Sequence, residues 1–184
     1  MRELLTSRLR LRGFRHDDLA ALVAMNRDPE VMRYIRAVGS EEEETRKAAA
    51  LISDNRDKPL GIWAVEGRDD RRFLGAAMLI RLPDAADIEV GYRLVKAAWG
   101  RGLATEAALC LRDHGFEELD LEEIVAVADP GNTASHKVLR KIGLSFRGLR
   151  RAYGVDGLHF FGLTRSDWQG LRGAGHISGT GMPA

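Results

Sequence analysis

The sequence predicts an α+β fold, a mixed sheet with helices on its faces, and three features of its 184 residues point there. Residues 87–95 alternate strictly, with Ile88, Val90, Tyr92 and Leu94 on one face and Glu89, Gly91 and Arg93 on the other, the period of a half-buried strand. Residues 40–56 open with capping-box spacing at Ser40 and Glu43 and carry the i,i+4 pairs Glu42/Arg46 and Glu43/Lys47, which marks a helix with a solvent-facing start. The order of elements completes the pattern: strand, helices, three strands, helix, strand, helix, two strands.

Each element has its own justification. Residues 5–14 alternate Leu9 and Leu11 with Arg8, Arg10 and Arg12, as a strand does. His16-Asp17-Asp18 opens an amphipathic helix through Met25, and Pro29 suits the first turn of a short helical segment reaching Ile35. Residues 60–66 and 73–80 are apolar, β-rich runs joined by a hairpin turn at Gly67-Arg68-Asp69-Asp70. After Trp99-Gly100-Arg101-Gly102, the spacing of Leu103, Ala107, Ala108, Leu111 and Gly115 predicts a helix to about residue 119. Residues 124–128 form a short buried strand closed by Asp129-Pro130-Gly131-Asn132, and a helix over 133–142 stops at Gly143. Two last strands, 144–152 and 158–164, flank Gly154-Val155-Asp156-Gly157. Residues 1–169 are expected to form one domain and the glycine-rich stretch 170–184 a flexible tail.

Bulk composition narrows the function. Lysine plus arginine number 28 against 27 for aspartate plus glutamate, so no global charge favours nucleic acid or an acidic membrane as partner. Cys110 is the only cysteine, which excludes an intrachain disulfide framework and a cysteine-based metal cage and fits a reducing cytosol. The N-terminus is charged from Arg2 onward and no apolar run approaches the length of a membrane span, so the expected location is cytoplasmic.

The glycine turn carries the first chemical signal. From Trp99 to Glu106 a strand gives way to a helix through two glycines, so that successive backbone N–H groups can converge outside the helix N-terminus and attract phosphate. Plain chain reversal is the competing reading of such glycines. The lysine-bearing P-loop pattern is absent, and Gly100-Arg101-Gly102 lacks the third glycine of the dinucleotide fingerprint.

This turn and its neighbours together resemble the GNAT N-acetyltransferase superfamily, in particular the branch that includes ribosomal-protein N-terminal alanine and serine acetyltransferases. The likeness rests on Thr6-Ser7-Arg8-Leu9-Arg10-Leu11-Arg12, Ile88-Glu89-Val90-Gly91-Tyr92-Arg93-Leu94, the run from Trp99 to Ala107, Asn132-Thr133-Ala134-Ser135 with Leu139-Arg140-Lys141-Ile142-Gly143-Leu144, and Leu163-Thr164 with Trp168, in the family's order. Trp99 stands where the superfamily's phosphate turn usually begins with glutamine or arginine, a variant this branch uses, and Arg101 lies inside the turn.

The resemblance implies a mostly antiparallel central sheet with a V-shaped splay between the fourth and fifth core strands, and acetyl-CoA as cosubstrate, with no metal. It places pantetheine on the backbone of Leu94 and Val95, the diphosphate on the N–H groups of Arg101, Gly102, Leu103, Ala104 and Thr105, and Asn132 on the pantetheine arm. An N–H from Leu94 would meet the developing oxyanion. Glu89 is nominated as general base, directly or through water; the competing reading is a surface carboxylate paired with Arg93. Ser135 would lie near the sulfur and hydrogen-bond the departing thiolate; Asn132 and Ser135 can also serve simply as helix caps.

Lys137, Arg140 and Lys141 lie near the same gap and within reach of the cofactor phosphates, though a solvated helix face is the better explanation for any one of them. His159 is read as structural rather than catalytic, Tyr92 and Trp63 as core, and Cys110 as inert. The acceptor is a primary amine, by branch resemblance a protein or peptide N-terminus, with a polyamine, amino acid or antibiotic as the alternative; its pocket is expected from residues 27–56 and the turn at 154–157. Relatives frequently dimerise, so a homodimer is an open expectation. A non-catalytic acyl-CoA sensor and a nucleic-acid-binding module, the latter suggested by Arg147, Arg150, Arg151, Arg165 and Arg172, are the rival classes.

Overall fold

The computed structural model describes residues 2–54, 58–83 and 85–176. Among these, strands β1 (Leu4–Leu5), β2 (Leu9–Arg12), β3 (Gly61–Gly67), β4 (Phe73–Arg81), β5 (Ile88–Leu94), β6 (Glu123–Ala128), β7 (Ser145–Ala152) and β8 (Val155–Thr164) form one sheet in the order β1-β2-β3-β4-β5-β6-β8-β7. All neighbouring pairs are antiparallel except β5 and β6. Helices α1 (Leu19–Arg27), α2 (Pro29–Met32) and α3 (Glu41–Asp54) pack over Ala64 and Ala76 on one face. The opposite face, with Leu9, Leu11, Trp63, Ile88, Val90 and Leu94, packs under α4 (Leu103–Glu117), α5 (Thr133–Lys141) and Trp168 of α6 (Arg165–His176). The alternation read along β2 and β5 is thus the partition between two helical layers.

Sheet pairing fails where the site forms. β4 and β5 pair at seven positions, from Gly75↔Leu94 to Arg81↔Ile88. β5 and β6 pair at one, Glu89↔Val125, and then run apart to Leu94 and Ala128. This is the V-shaped splay between the fourth and fifth core strands, the short β1 having been left uncounted in the sequence reading.

Three local features depart from expectation. The single strand expected over 5–14 breaks at Thr6-Ser7-Arg8, because these residues turn their hydrogen-bonding groups to Glu106 of α4. In α3 the capping box forms, Glu43 N–H donating to Ser40 Oγ at 3.2 Å and Ser40 N–H to Glu43 Oε2 at 3.1 Å. That use of Glu43 displaces its expected pairing with Lys47, which bonds Glu44 at 3.3 Å instead, and Glu44 is fully buried rather than solvent-facing. Helix α6 continues through Gly170, where the tail was expected to begin, because Leu171 seats against Gly143 and Arg172 lies over the Trp168 ring at 5.1 Å. The rest of that tail, 177–184, lies outside the described residues.

Candidate active site

Strand alternation decides which backbone groups face the gap. Val95 N–H donates to Leu74 O at 2.9 Å, so the odd-numbered residues of this stretch turn their amides to β4 and the even-numbered ones, Tyr92 and Leu94, turn theirs toward β6. Of the two backbone partners expected for pantetheine, the Val95 amide is therefore already engaged, and Leu94 is the one aimed into the splay. The Leu94 carbonyl accepts from Trp99 Nε1 at 2.9 Å, which folds the glycine turn back onto the end of β5.

That turn has the form of an anion seat. Gly100 and Gly102 stand at φ of 71° and 75°, where a side chain is disfavoured, and the first bond of α4 runs from Glu106 N–H to Gly102 O at 3.0 Å. Among the described residues the amides of Arg101, Gly102, Leu103, Ala104 and Thr105 have no acceptor, so they converge with the positive end of the α4 dipole. Glu106 anchors the turn from behind, accepting from Thr6 Oγ1 at 2.6 Å, Arg8 N–H at 2.9 Å and Arg8 Nε at 2.6 Å. Arg8 Nη1 in turn donates to Arg101 O at 2.9 Å. This is the physical content of the Thr6-Ser7-Arg8 motif.

Glu89 sits at the neck of the splay, at the one β5–β6 pairing, and is 3% exposed. Burial pushes its carboxyl up to about 7, against hydrogen bonds from the Tyr153 hydroxyl and from Val127 N–H at 3.4 Å that favour the charged form. It is not a surface carboxylate and does not pair with Arg93. Four residues on along one strand are roughly 13 Å apart, and the Arg93 guanidinium instead points at Met32, with Nη1 3.8 Å from its Sδ. Tyr153 was missed in the sequence: it lies in the β7–β8 turn at φ 54°, one residue before the glycine whose turn was expected to wall the acceptor pocket, and only tertiary packing brings it to Glu89.

At the far side of the gap α5 begins. Asn132 Oδ1 caps the helix by accepting from Ser135 N–H at 3.1 Å, and its side-chain amide is left as a donor. Ser135 Oγ lies 3.1 Å from the Tyr92 hydroxyl, so Tyr92 is not mere core: it reaches across the splay and joins β5 to α5. His159 stacks on His136 at 4.8 Å and meets Phe146 edge-on, a packing role. Lys137, Arg140 and Lys141 are exposed along α5. Trp63 is buried core, and Cys110 is half-buried, its thiol pushed up to about 11 by burial, which leaves it unreactive at neutral pH.

Residues 8–145 match the model of the acetyltransferase (GNAT) domain family, three quarters of the chain and every element just described from β2 to α5. The chain belongs to the GNAT family. YkkB of Bacillus subtilis is 33% identical over 149 residues, covering 78% of this chain and 86% of its own. Among solved structures, a GNAT-family acetyltransferase from Bacillus anthracis superposes with a TM-score of 0.77 at 23% identity, over 90% of this chain and 99% of that one. RimL, the ribosomal L7/L12 α-N-protein acetyltransferase solved in complex with coenzyme A, superposes with a TM-score of 0.71 at 16% identity, over 89% of this chain and 98% of that one, a likeness of fold.

As a GNAT protein the chain is an acetyl-CoA-dependent N-acetyltransferase, and its residues fit that cosubstrate. Among the described residues the splayed strands leave backbone N–H groups unpaired at Tyr92 and Leu94, and the glycine turn leaves five amides without acceptors. Among the described residues no cluster of histidine, cysteine or carboxylate side chains could hold a metal ion, and no helix is long and apolar enough to cross a membrane.

Proposed function

We propose that the acceptor is the α-amine of a protein or peptide N-terminus, with Glu89 as general base and Ser135 as the group that meets the departing thiolate. The observation that carries this reading is the position and basicity of Glu89: a buried carboxyl brought up to about 7 beside the strand splay. A base near 7 is matched to an α-ammonium of pKa about 8, of which roughly a tenth is free at neutral pH, and poorly matched to a lysine-type amine near 10.4. Tyr153 and Val127 hold the carboxylate in place, so the proton is received at a fixed point.

Acetyl-CoA supplies the thioester; the chain supplies placement, whose worth reaches roughly 7 to 11 kcal/mol for well-oriented partners. The amides of Arg101 to Thr105 take the diphosphate and the Asn132 side-chain amide takes the pantetheine arm. The Leu94 N–H donates to carbonyl oxygen as charge develops there. Tyr92, raised to about 12 by burial, stays protonated at neutral pH. Its hydroxyl lies 3.2 Å from the Ser135 carbonyl, to which it donates, and 3.1 Å from Ser135 Oγ, where either hydroxyl can be the donor. Turning the tyrosine hydrogen to Oγ frees the serine hydrogen for sulfur. The deciding experiment is a coenzyme A release screen of peptides with free N-termini beside Nα-blocked lysine peptides, polyamines and aminoglycosides. Turnover confined to free N-termini is expected; turnover of the blocked peptides or polyamines without it would overturn the assignment.

A further inference from the structure

Among the described residues, Arg93 is a cation with no carboxylate in contact, on the face of the sheet that lies under α1 to α3. It shares a strand face with Glu89, and its cross-strand neighbours Ala76 and, beyond that, Ala64 are small residues of the layer under α1 to α3. Its Nε is sealed from solvent with no hydrogen-bond partner, and its one polar contact among the described residues is Met32 Sδ at 3.8 Å. The nearest carboxylate chemistry does not serve it. Glu44 is fully buried and already chelated by Arg36, through Nη1 at 2.7 Å and Nη2 at 2.6 Å, and touched by Lys47 at 3.3 Å. Glu44 acts on Arg93 only through space, so Arg93, Arg36 and Lys47 share that carboxylate, and with Glu43 beside Arg36 counted as well, positive charge remains in excess by one.

A partly buried guanidinium left unpaired is costly, and folding alone gives no return for it. A hydrocarbon side chain would pack against Met32, Ala76 and Ala64 more favourably. The planar fork of an arginine matches a carboxylate in two-pronged geometry.

We infer that Arg93, backed by Arg36, is a subsite for a carboxylate carried by the acceptor, and that it selects N-termini bearing an acidic side chain in their first residues. The inference rests on the N-terminal acceptor reading above. Its geometry favours a side chain over the α-carboxylate of a free amino acid: the backbones of Arg93 and Glu89 stand roughly 13 Å apart along the strand, so their two side chains must be met by groups well separated on the acceptor, and a second-residue side chain reaches farther from the terminal amine than an α-carboxylate does. The same excess of positive charge disfavours polyamines.

The test compares matched acceptors on the unaltered protein: Ala-Glu and Ala-Gln dipeptide amides, with free glutamate as a third arm, read by coenzyme A release. Ala-Glu amide should show kcat/KM higher than Ala-Gln amide by about tenfold or more, mainly through KM, the worth of one charge-assisted pair. Arg93→Met should remove that preference, and calorimetric uptake of acetyl-CoA by the variant establishes that it is folded and loaded. Equal rates for the two dipeptides, or a preference that survives Arg93→Met, would each overturn the subsite, whereas no turnover of either peptide by protein that binds acetyl-CoA would overturn the N-terminal acceptor reading and the subsite with it. Preferred turnover of free glutamate would replace the side chain by an α-carboxylate and overturn the peptide form. Failure to bind acetyl-CoA at all would instead remove the acetyltransferase reading, and calorimetry separates the two.

Discussion

Replacing Glu89 by glutamine should make the enzyme slower and the protein more stable, and both effects follow from one burial. An ordinary glutamate titrates near 4.5 and Glu89 near 7, a gap that corresponds to about 3 kcal/mol against the ionised form in the folded protein. The sign is fixed by which state releases its proton first. Below about 4.5 Glu89 is neutral in both states and the cost is absent; between there and about 7 the unfolded chain ionises first, so stability falls as pH rises; above about 7 the cost is constant. Glutamine fills the same volume, can still accept from Val127 N–H or Tyr153, and carries no charge. Thermal unfolding of Glu89→Gln should therefore match the parent near pH 4.5 and exceed it increasingly toward pH 8, by up to about 3 kcal/mol. Turnover should drop by about 100- to 10,000-fold, and the rise of kcat/KM through pH 7 should vanish. Unchanged kinetics across pH would remove Glu89 from proton transfer, and identical unfolding curves at pH 5 and 8 would contradict its burial as an ionisable group.

Tyr153→Phe deletes a hydrogen bond that favours the Glu89 carboxylate, so the ascending limb of the pH–rate profile should move upward by about one pH unit. A limb that stays in place would show that the hydroxyl does not tune the base. Ser135→Ala and Tyr92→Phe should each lower kcat by about tenfold, and the double variant should be no slower than either, because the two hydroxyls act in series. Multiplying effects would place them on separate paths. Gly102→Ala forces a side chain into φ 75°, at a cost of about 1 kcal/mol, and should lower Tm by about 2–4 °C while weakening coenzyme A binding measured by calorimetry.

Much of this was legible in the chain because it depends on local periodicity. The alternation over residues 87–95, the Ser40/Glu43 box and the two glycines of the phosphate turn each impose their geometry on near neighbours, and each recurs in the structure. What escaped were contacts that only folding creates. Nothing near Tyr153 in sequence connects it to a residue 64 positions earlier, and Glu89 looked like a partner for Arg93 because two residues on one strand face share a direction without sharing a distance. Tyr92 was read as core because its alternation places it there; its hydroxyl crosses to a helix that begins some forty residues later.

The Glu106 hub has a consequence for how the protein comes into being. Arg8 clasps a carbonyl 93 residues downstream and Thr6 a carboxylate 100 residues downstream, so the glycine turn is shaped by residues far from it along the chain. Such distant closures form late, because loop entropy must be overcome before the contacts reward it. On the proposed seating of the diphosphate, a half-folded chain accordingly offers coenzyme A no cradle, and uptake of the nucleotide becomes a readout of completed folding.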